Sequence, residues 1–349
     1  MAIFILKKLA YGLLVLLGIV VLVFMLFAWF PDPSEIMAGQ RDDILTKDAI
    51  KKEFGLDKPK GEQLLFYLND LSPISFHENT AENFEKYGYT HLFAIGSTAV
   101  VVKQPYLRRS YQSKKKVSEI LSASFFSTFV LASASIMVAA LVGIALGVVS
   151  ALRQNTFADR AILLISTLGI SLPSFFAAII IAWLFGYVLT QYTGLNMTGT
   201  LVDYGRDYER FYNWRNLILP TLALGIRPLA IIIQLTRSSM IEVMGQDYVR
   251  TAYAKGLSHT QVIWRHALKN ALNPVITSIS GWFASLLAGS FFVEYIFNWN
   301  GIGKVTVVAL EKSDYPVVMG AILLIAVLFI IINIMVDITY KALDPRVTL

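Results

Sequence analysis

At 349 residues, 56% of them hydrophobic and only 15% charged, the chain is too apolar to wrap a core in a charged surface, and its class is a membrane protein. Thirty Lys and Arg against 24 Asp and Glu give a net charge of +6, and in a membrane chain the placement of those charges carries the information. Zero cysteines exclude a disulfide framework, thiolate metal sites and thiol nucleophiles.

Residues 9 to 30, LAYGLLVLLGIVVLVFMLFAWF, follow Lys7 and Lys8. The run is too long for a signal h-region and no small-x-small cleavage site follows it, which predicts a retained transmembrane helix. Residues 31 to 118 then form a long external segment. Within it, DAIKKEFGLDKPKGEQLLFYLNDL places Leu64, Leu65, Leu68 and Leu71 at helical spacing and predicts one or two short helices. The residues from 72 to 105, including AIGSTAVVV, carry no pattern that assigns them. The basic run QPYLRRSYQSKKK reads as a solvated stretch before the second span or as a dock for an external partner.

Five further apolar segments satisfy the roughly 20 residues that a span needs: 122 to 151, 161 to 189, 217 to 236, 274 to 293 and 316 to 336. The second span carries Ala139, Gly143 and Gly147 at four-residue spacing, which lets another helix approach closely. The third contains Pro173 and the fourth Pro220 and Pro228, so both are expected to kink where a backbone hydrogen bond is lost. Arg227 falls well inside the fourth span, where a charge faces a partner or a water-filled pathway, or bonds carbonyls freed by Pro228. Glu294 and Asp337 read as interfacial.

Six spans put both termini on one side. The short segments assigned there hold 11 basic residues against 5 acidic ones, while the short loops opposite hold 5 against 6, which predicts cytoplasmic N- and C-termini. The long segment after the first span escapes this bias because of its length.

Enzymatic constellations are missing from the sequence. There is no HExxH, no GxSxG and no carboxylate cluster within a span. NWNGIGKV lacks the spacing of a phosphate loop and reads as a turn between membrane elements. Uphill work would therefore draw energy from another subunit or from an ion gradient, and the scarcity of acidic residues at mid-membrane depth weighs against a secondary transporter. The basic residues build no continuous face for nucleic acid.

The loop YVRTAYAKGLSHTQVIWRHALKNALNPV, residues 248 to 275, is unusually organised. Val249, Ala252, Tyr253, Gly256 and Leu257 share one face of a short helix, with Arg250 and Lys255 elsewhere on the wheel. Ser258 and Gln261 match a capping box that starts a second helix, while Gly256 and Leu257 close the first. Val262, Ile263, Ala267, Leu268, Ala271 and Leu272 return the chain to the bilayer. This predicts a helical hairpin with a flat flank at Ala252 and Gly256 for close contact with another protein; the alternative is a hairpin lying on the lipid.

The loop resembles the EAA-type loop of binding-protein-dependent ABC importer permeases, in the version found in the dipeptide, oligopeptide and nickel branch. FGLDKP, GVVSALRQNTFADR, SLPSFF, LTRSSMIEV, VEYIFNWNGIG, DYPVVMG and the terminal ALDPR agree in order. Four features depart from that pattern: Arg250 replaces the Glu of the EAA signature, the Pro of that signature is absent, Asn300 stands where a Pro is common, and residues 72 to 113 are longer than usual.

The resemblance implies an all-α type I importer permease of six transmembrane helices. Residues 1–30 would form the first helix, 31–118 the external segment, and 119–349 a five-helix core with a cytoplasmic coupling loop at 237–272. It implies a second permease, two cytoplasmic ATPases that carry ATP and Mg, and an external solute-binding protein, with no cofactor or metal on this chain. Arg250, Thr251, Ala252, Tyr253, Lys255, Gly256 and Leu257 would couple to an ATPase, with Arg227 and Pro173 on the pathway. The expected cargo is a di- or oligopeptide, with nickel or another small solute as the alternative. From a different class, the chain would be a membrane scaffold or channel without an ATPase.

Overall fold

The computed structural model describes residues 2–29, 51, 57–95, 98–204 and 209–343. The first half of FGLDKP and the end of ALDPR lie outside the described residues. Helix α1, Ala2–Ala28, has an apolar stretch of 23 residues from Leu6, about 35 Å of helix against a hydrocarbon core of about 30 Å. The segment between the first two spans contributes α2 (Lys60–Leu71), β1 (Ile74–Glu78), α3 (Ala81–Tyr87), β2 (Thr90–Ile95) and β3 (Thr98–Val102). The rest of the chain is α4 (Val117–Leu152), α5 (Phe157–Ser171), α6 (Ser174–Trp183), the hairpin β4 (Val202–Tyr204) and β5 (Arg210–Tyr212), α7 (Arg215–Met244), α8 (Asp247–Ala254), α9 (Leu268–Gly289), α10 (Phe291–Ile296), α11 (Ile302–Glu311) and α12 (Tyr315–Leu343).

Two compact units divide the chain. One is Leu6–Ser124 with Val305–Val327; the other is Phe125–Lys304 with Met1–Ile5 and Leu328–Leu349.

In the first unit, the segment that lacked a sequence pattern is an antiparallel three-stranded sheet of order β1-β3-β2, and AIGSTAVVV is its β2–β3 hairpin. Ser75 and His77 of β1 face inward opposite Val101 and Ala99 of β3, and all four are buried. Asp70, at the end of α2, is the polar hub. It accepts from Tyr87 Oη at 3.0 Å and from Arg108 Nε at 3.0 Å, and its backbone oxygen accepts from Lys103. Part of the basic run is thus used inside the protein. Arg108 pairs with Asp70, and the Ser110 hydroxyl and Tyr111 N–H both donate to the Asp314 carboxylate ahead of α12.

In the second unit, α4 and α7 approach closely as the small residues of α4 predict. A Cβ on Gly143 would run into Ile232, and one on Gly147 into Thr236 and the Ile233 carbonyl. Helix α7 continues through Pro220 and Pro228. Pro173 does more than kink its span. It ends α5 and begins α6, with a bend of 108° between Phe157–Ser171 and Ser174–Val188. Leu172 before the proline is extended, as the ring demands, and the Pro173 carbonyl accepts from Ala177 to start the new helix.

The bent pair still makes one crossing. Asp159 in the first turn of α5 is bonded to Arg237, whereas Asn196 beyond α6 donates to Asn216 at 3.1 Å. Asn216 and Arg237 lie 21 positions apart on α7, about 32 Å of helix, which matches the hydrocarbon thickness. With the five continuous helices that begin at Leu6, Val117, Arg215, His259 and Tyr315, the described residues hold six segments long and apolar enough to cross a membrane.

Candidate functional site

The loop between the fourth and fifth spans folds as a closed hairpin. Helix α8 begins with Asp247 in its first turn, which favours the positive end of the helix dipole. It ends through Lys255 N–H to Thr251 at 3.0 Å, Gly256 N–H to Tyr253 at 2.9 Å and Leu257 N–H to Ala252 at 3.4 Å. Gly256 sits at φ +79°, the left-handed conformation that closes helices and favours glycine. Ser258 N–H donates to Gln261 Oε1 at 3.1 Å and Gln261 N–H to Ser258 Oγ at 3.4 Å, the capping box read from the sequence.

The predicted apolar face of α8 divides. Val249 and Ala252 turn inward and pack with Val262, beside half-buried Leu257. Ala252 is 5% exposed, so its small side chain serves closure of the hairpin and offers no flank to a partner. Open space surrounds the Cα of Gly256, so backbone conformation, and not close packing, calls for glycine there. The outer surface is made by Arg250, Thr251, Tyr253, Ala254, Lys255 and Gly256. Tyr253 Oη and His259 Nδ1 lie 2.7 Å apart, and Arg250 reaches Asp247 at 3.7 Å in solvent.

At its base the hairpin is fixed to the bundle. A π-helical stretch, Val262–Ala267, turns Val262 toward α8 while Ile263 and Ala267 pack with Met240 of α7 and Val148 of α4. Asn270 donates to Tyr248 Oη at 2.9 Å, tying α9 to the start of α8. One turn from Met240, Arg237 grips Asp159 with two bonds, Nε to Oδ1 at 2.7 Å and Nη2 to Oδ2 at 2.8 Å. Ser150 Oγ and Asn155 N–H donate to the same carboxylate at 2.5 and 2.9 Å. The two motifs are separate in the sequence, and the signal they offer is an Asp in the first turn of one span and an Arg near the end of another.

Glu294, near the end of the fifth span, is fully buried within the protein. Its carboxylate accepts from Thr128 Oγ1 at 2.8 Å, Ser290 Oγ at 2.7 Å and Lys304 N–H at 3.2 Å. A Cβ on Gly301 or Gly303 would strike that carboxylate, so the NWNGIG turn is wrapped around Glu294 and needs its glycines for the approach.

The two expected pathway residues are both exposed, Arg227 on α7 and Pro173 at the α5–α6 bend. Arg227 makes no ion pair among the described residues, and Gln234, Ser238 and Glu242 follow it along the same side of α7. On α9, Asn273, Thr277, Gly281 and Ser285 recur every fourth residue; Asn273, Gly281 and Ser285 are exposed and Thr277 is half-buried. Apolar lipid is a poor neighbour for such stripes, whereas water or another protein suits them.

The inner membrane component of binding-protein-dependent transport systems matches residues 143–349, and the N-terminal part of such membrane components matches residues 1–132. The chain belongs to this family. It is 36% identical over 308 residues to the dipeptide transport system permease protein DppB of Bacillus subtilis, covering 87% of this chain and 86% of that one. The di/tripeptide transport system permease protein DppB of Pseudomonas aeruginosa is 34% identical over 364 residues, with 99% and 98% covered. The glutathione transport system permease protein GsiC of Salmonella typhi is 32% identical over 345 residues, again with 99% and 98% covered.

Among solved structures, the inward-facing MetNI methionine ABC transporter superposes with a TM-score of 0.51 at 16% identity, over 64% of this chain and 96% of that one. That likeness shows the fold. The permease is therefore a multi-pass inner-membrane protein with an ABC importer permease core and a sheet-bearing segment between its first two spans.

Proposed function

We propose that this permease carries di- or oligopeptides inward as one of a pair of similar permeases, driven by two cytoplasmic ATPases and fed by an external solute-binding protein. The names of its relatives support the peptide cargo. The observation that carries the reading is the closed hairpin, a rigid projection held to α4, α7 and α9 with a polar outer surface and an apolar base. ATP and Mg would act on the partner subunits, and this chain would move in response.

In that scheme the N- and C-termini are cytoplasmic, and the outer surface of α8, from Arg250 to Gly256, seats in an ATPase. Displacement of the hairpin passes through Met240 and Val148, and through the Asp159–Arg237 pair, to the helix that bends at Pro173. The exposed stripes of α7 and α9 would then line the route, with the Arg227 guanidinium available to a peptide carboxylate.

The test is recovery of ATPase subunits with the tagged permease after mild solubilisation. Thr251→Arg adds bulk to the exposed surface without touching the buried side and should release the ATPases and stop peptide uptake while the chain stays folded in the membrane. Undiminished ATPase recovery and uptake would refute the coupling assignment, and uptake of nickel in place of peptide would refute the cargo.

A further inference from the structure

The outer face of the three-stranded sheet is largely apolar and is left uncovered by the other described residues. Strand register aligns Ile74 with Val102, and Phe76 with Val100 and Phe93. Ile74, Phe76, Phe93 and Val102 are 58%, 61%, 56% and 41% exposed; Val100, between Phe76 and Phe93, is buried, and the exposed Glu78 stands at the end of the same face of β1. An aromatic patch of this kind on a water-bathed lobe calls for a covering partner.

Helix α2 shows what lies on that side. Its Tyr67 clusters with Val20 and Val23 of α1 and with Met319 and Leu323 of α12, joined by Leu68 and Leu71. The Tyr67 ring stacks on Phe24 at 6.1 Å. Val20 lies eight residues before the end of α1, and Leu323 eight residues after the start of α12, so the cluster reaches about 12 Å down both spans. Helix α2 therefore lies at the depth of the adjacent leaflet.

The direction of the sheet follows from the helical wheel of α2. Asn69 bonds both the N–H and the carbonyl of Phe76, each at 2.9 Å, which fixes the β1 edge beside it. At about 100° per residue, Asp70 lies to one side of Asn69, and Leu65 then Leu68 to the other. Asp70 holds Tyr87, and Tyr87 stacks on inward-facing His77 at 4.1 Å, so the inner sheet face looks toward Asp70. The outer face must look toward Leu65, which is 67% exposed and borders the residues seated on the two spans.

We propose that Leu65 and the outer sheet face, Ile74, Phe76, Phe93 and Val102, are immersed in the neighbouring lipid leaflet, so that the external segment lies on the membrane as an interfacial domain. The proposal rests only on the chain being a membrane protein and is independent of cargo, sidedness and ATPase coupling.

The chain has no cysteine, so single sites can be spin-labelled without background. Phe76→Cys and Phe93→Cys, with Leu65→Cys as a site outside the sheet and exposed Glu85→Cys as a water-facing reference, are labelled in the full chain in lipid nanodiscs. Immersion makes relaxation by oxygen exceed relaxation by a water-soluble nickel chelate several-fold at positions 65, 76 and 93, with the reverse at 85. Nickel exceeding oxygen at 76 and 93 would overturn the proposal in favour of a solvated face. Shielding from both reagents would overturn it in favour of a covering protein.

Discussion

Asp159 and Arg237, 78 positions apart in sequence, form a two-pronged ion pair in which the Asp159 side chain is 2% exposed. Removing one partner leaves a buried charge unanswered, which costs about 3–5 kcal/mol. Arg237→Ala should lower the melting temperature of the detergent-solubilised permease and separate ATP hydrolysis from uptake in the assembled importer. A melting curve and an uptake-to-hydrolysis ratio equal to those of the unaltered protein would remove the pair from both roles.

Glu294 anchors the NWNGIG turn through Thr128, Ser290 and the backbone N–H of Lys304. Glu294→Ala strands these buried donors at about 1–3 kcal/mol each, the cost of an unmet buried polar group. The turn from Asn298 to Gly303 should become cleavable by added protease, while Glu294→Gln, which keeps an acceptor, should resist more. Equal resistance of all three proteins would show that the turn holds without its carboxylate.

Gly256 is required for its backbone conformation and not for a close contact. Gly256→Asn, a residue that tolerates the left-handed region, should keep the hairpin and ATPase recovery. Gly256→Val should strain it by about 1–2 kcal/mol and weaken recovery. Equal loss with both variants would instead point to steric exclusion at the ATPase surface.

His77 is held below its usual pKa, first by burial between Tyr87 and Tyr89 and then by the nearby Lys103 charge, partly opposed by Asp70. The unfolded external segment takes up a proton near the ordinary histidine value of about 6.5, while the folded one resists. Stability of this segment should therefore be full above that pH and decline as pH falls below it toward the depressed folded value. Limited proteolysis of the external segment should accelerate between pH 7.5 and pH 5.5, and His77→Phe should flatten the dependence. An unchanged slope in His77→Phe would assign it to another group.

Arg227→Ala should reduce peptide uptake severalfold without reducing recovery of the partner subunits, because the residue is exposed and unpaired within the described part of this chain. Loss of recovery would make Arg227 a subunit contact; unchanged uptake would remove it from the route.

The sequence by itself determined the features that depend on neighbouring residues. Run length set five continuous spans, four-residue spacing of Gly143 and Gly147 marked the close approach of α4 to another helix, and Ser258 with Gln261 marked the start of the hairpin's second arm. Hydropathy, spacing and capping act over a few turns, so they can be read in order along the chain. Tertiary structure decided what depends on distant partners. Ala252 faces inward because Val262 is there to cover it; Glu294 is accommodated in the interior because Thr128, 166 positions away, donates a hydrogen bond to it. Pro173 announced an interruption, but the 108° angle comes from how the two arms pack. The strands of the three-stranded sheet have no apolar alternation clean enough to read, because one face holds Ser75 and His77 inside while Ile74 and Phe76 are exposed. Which of those faces is the core is a property of what packs against them, and that is absent from the local pattern.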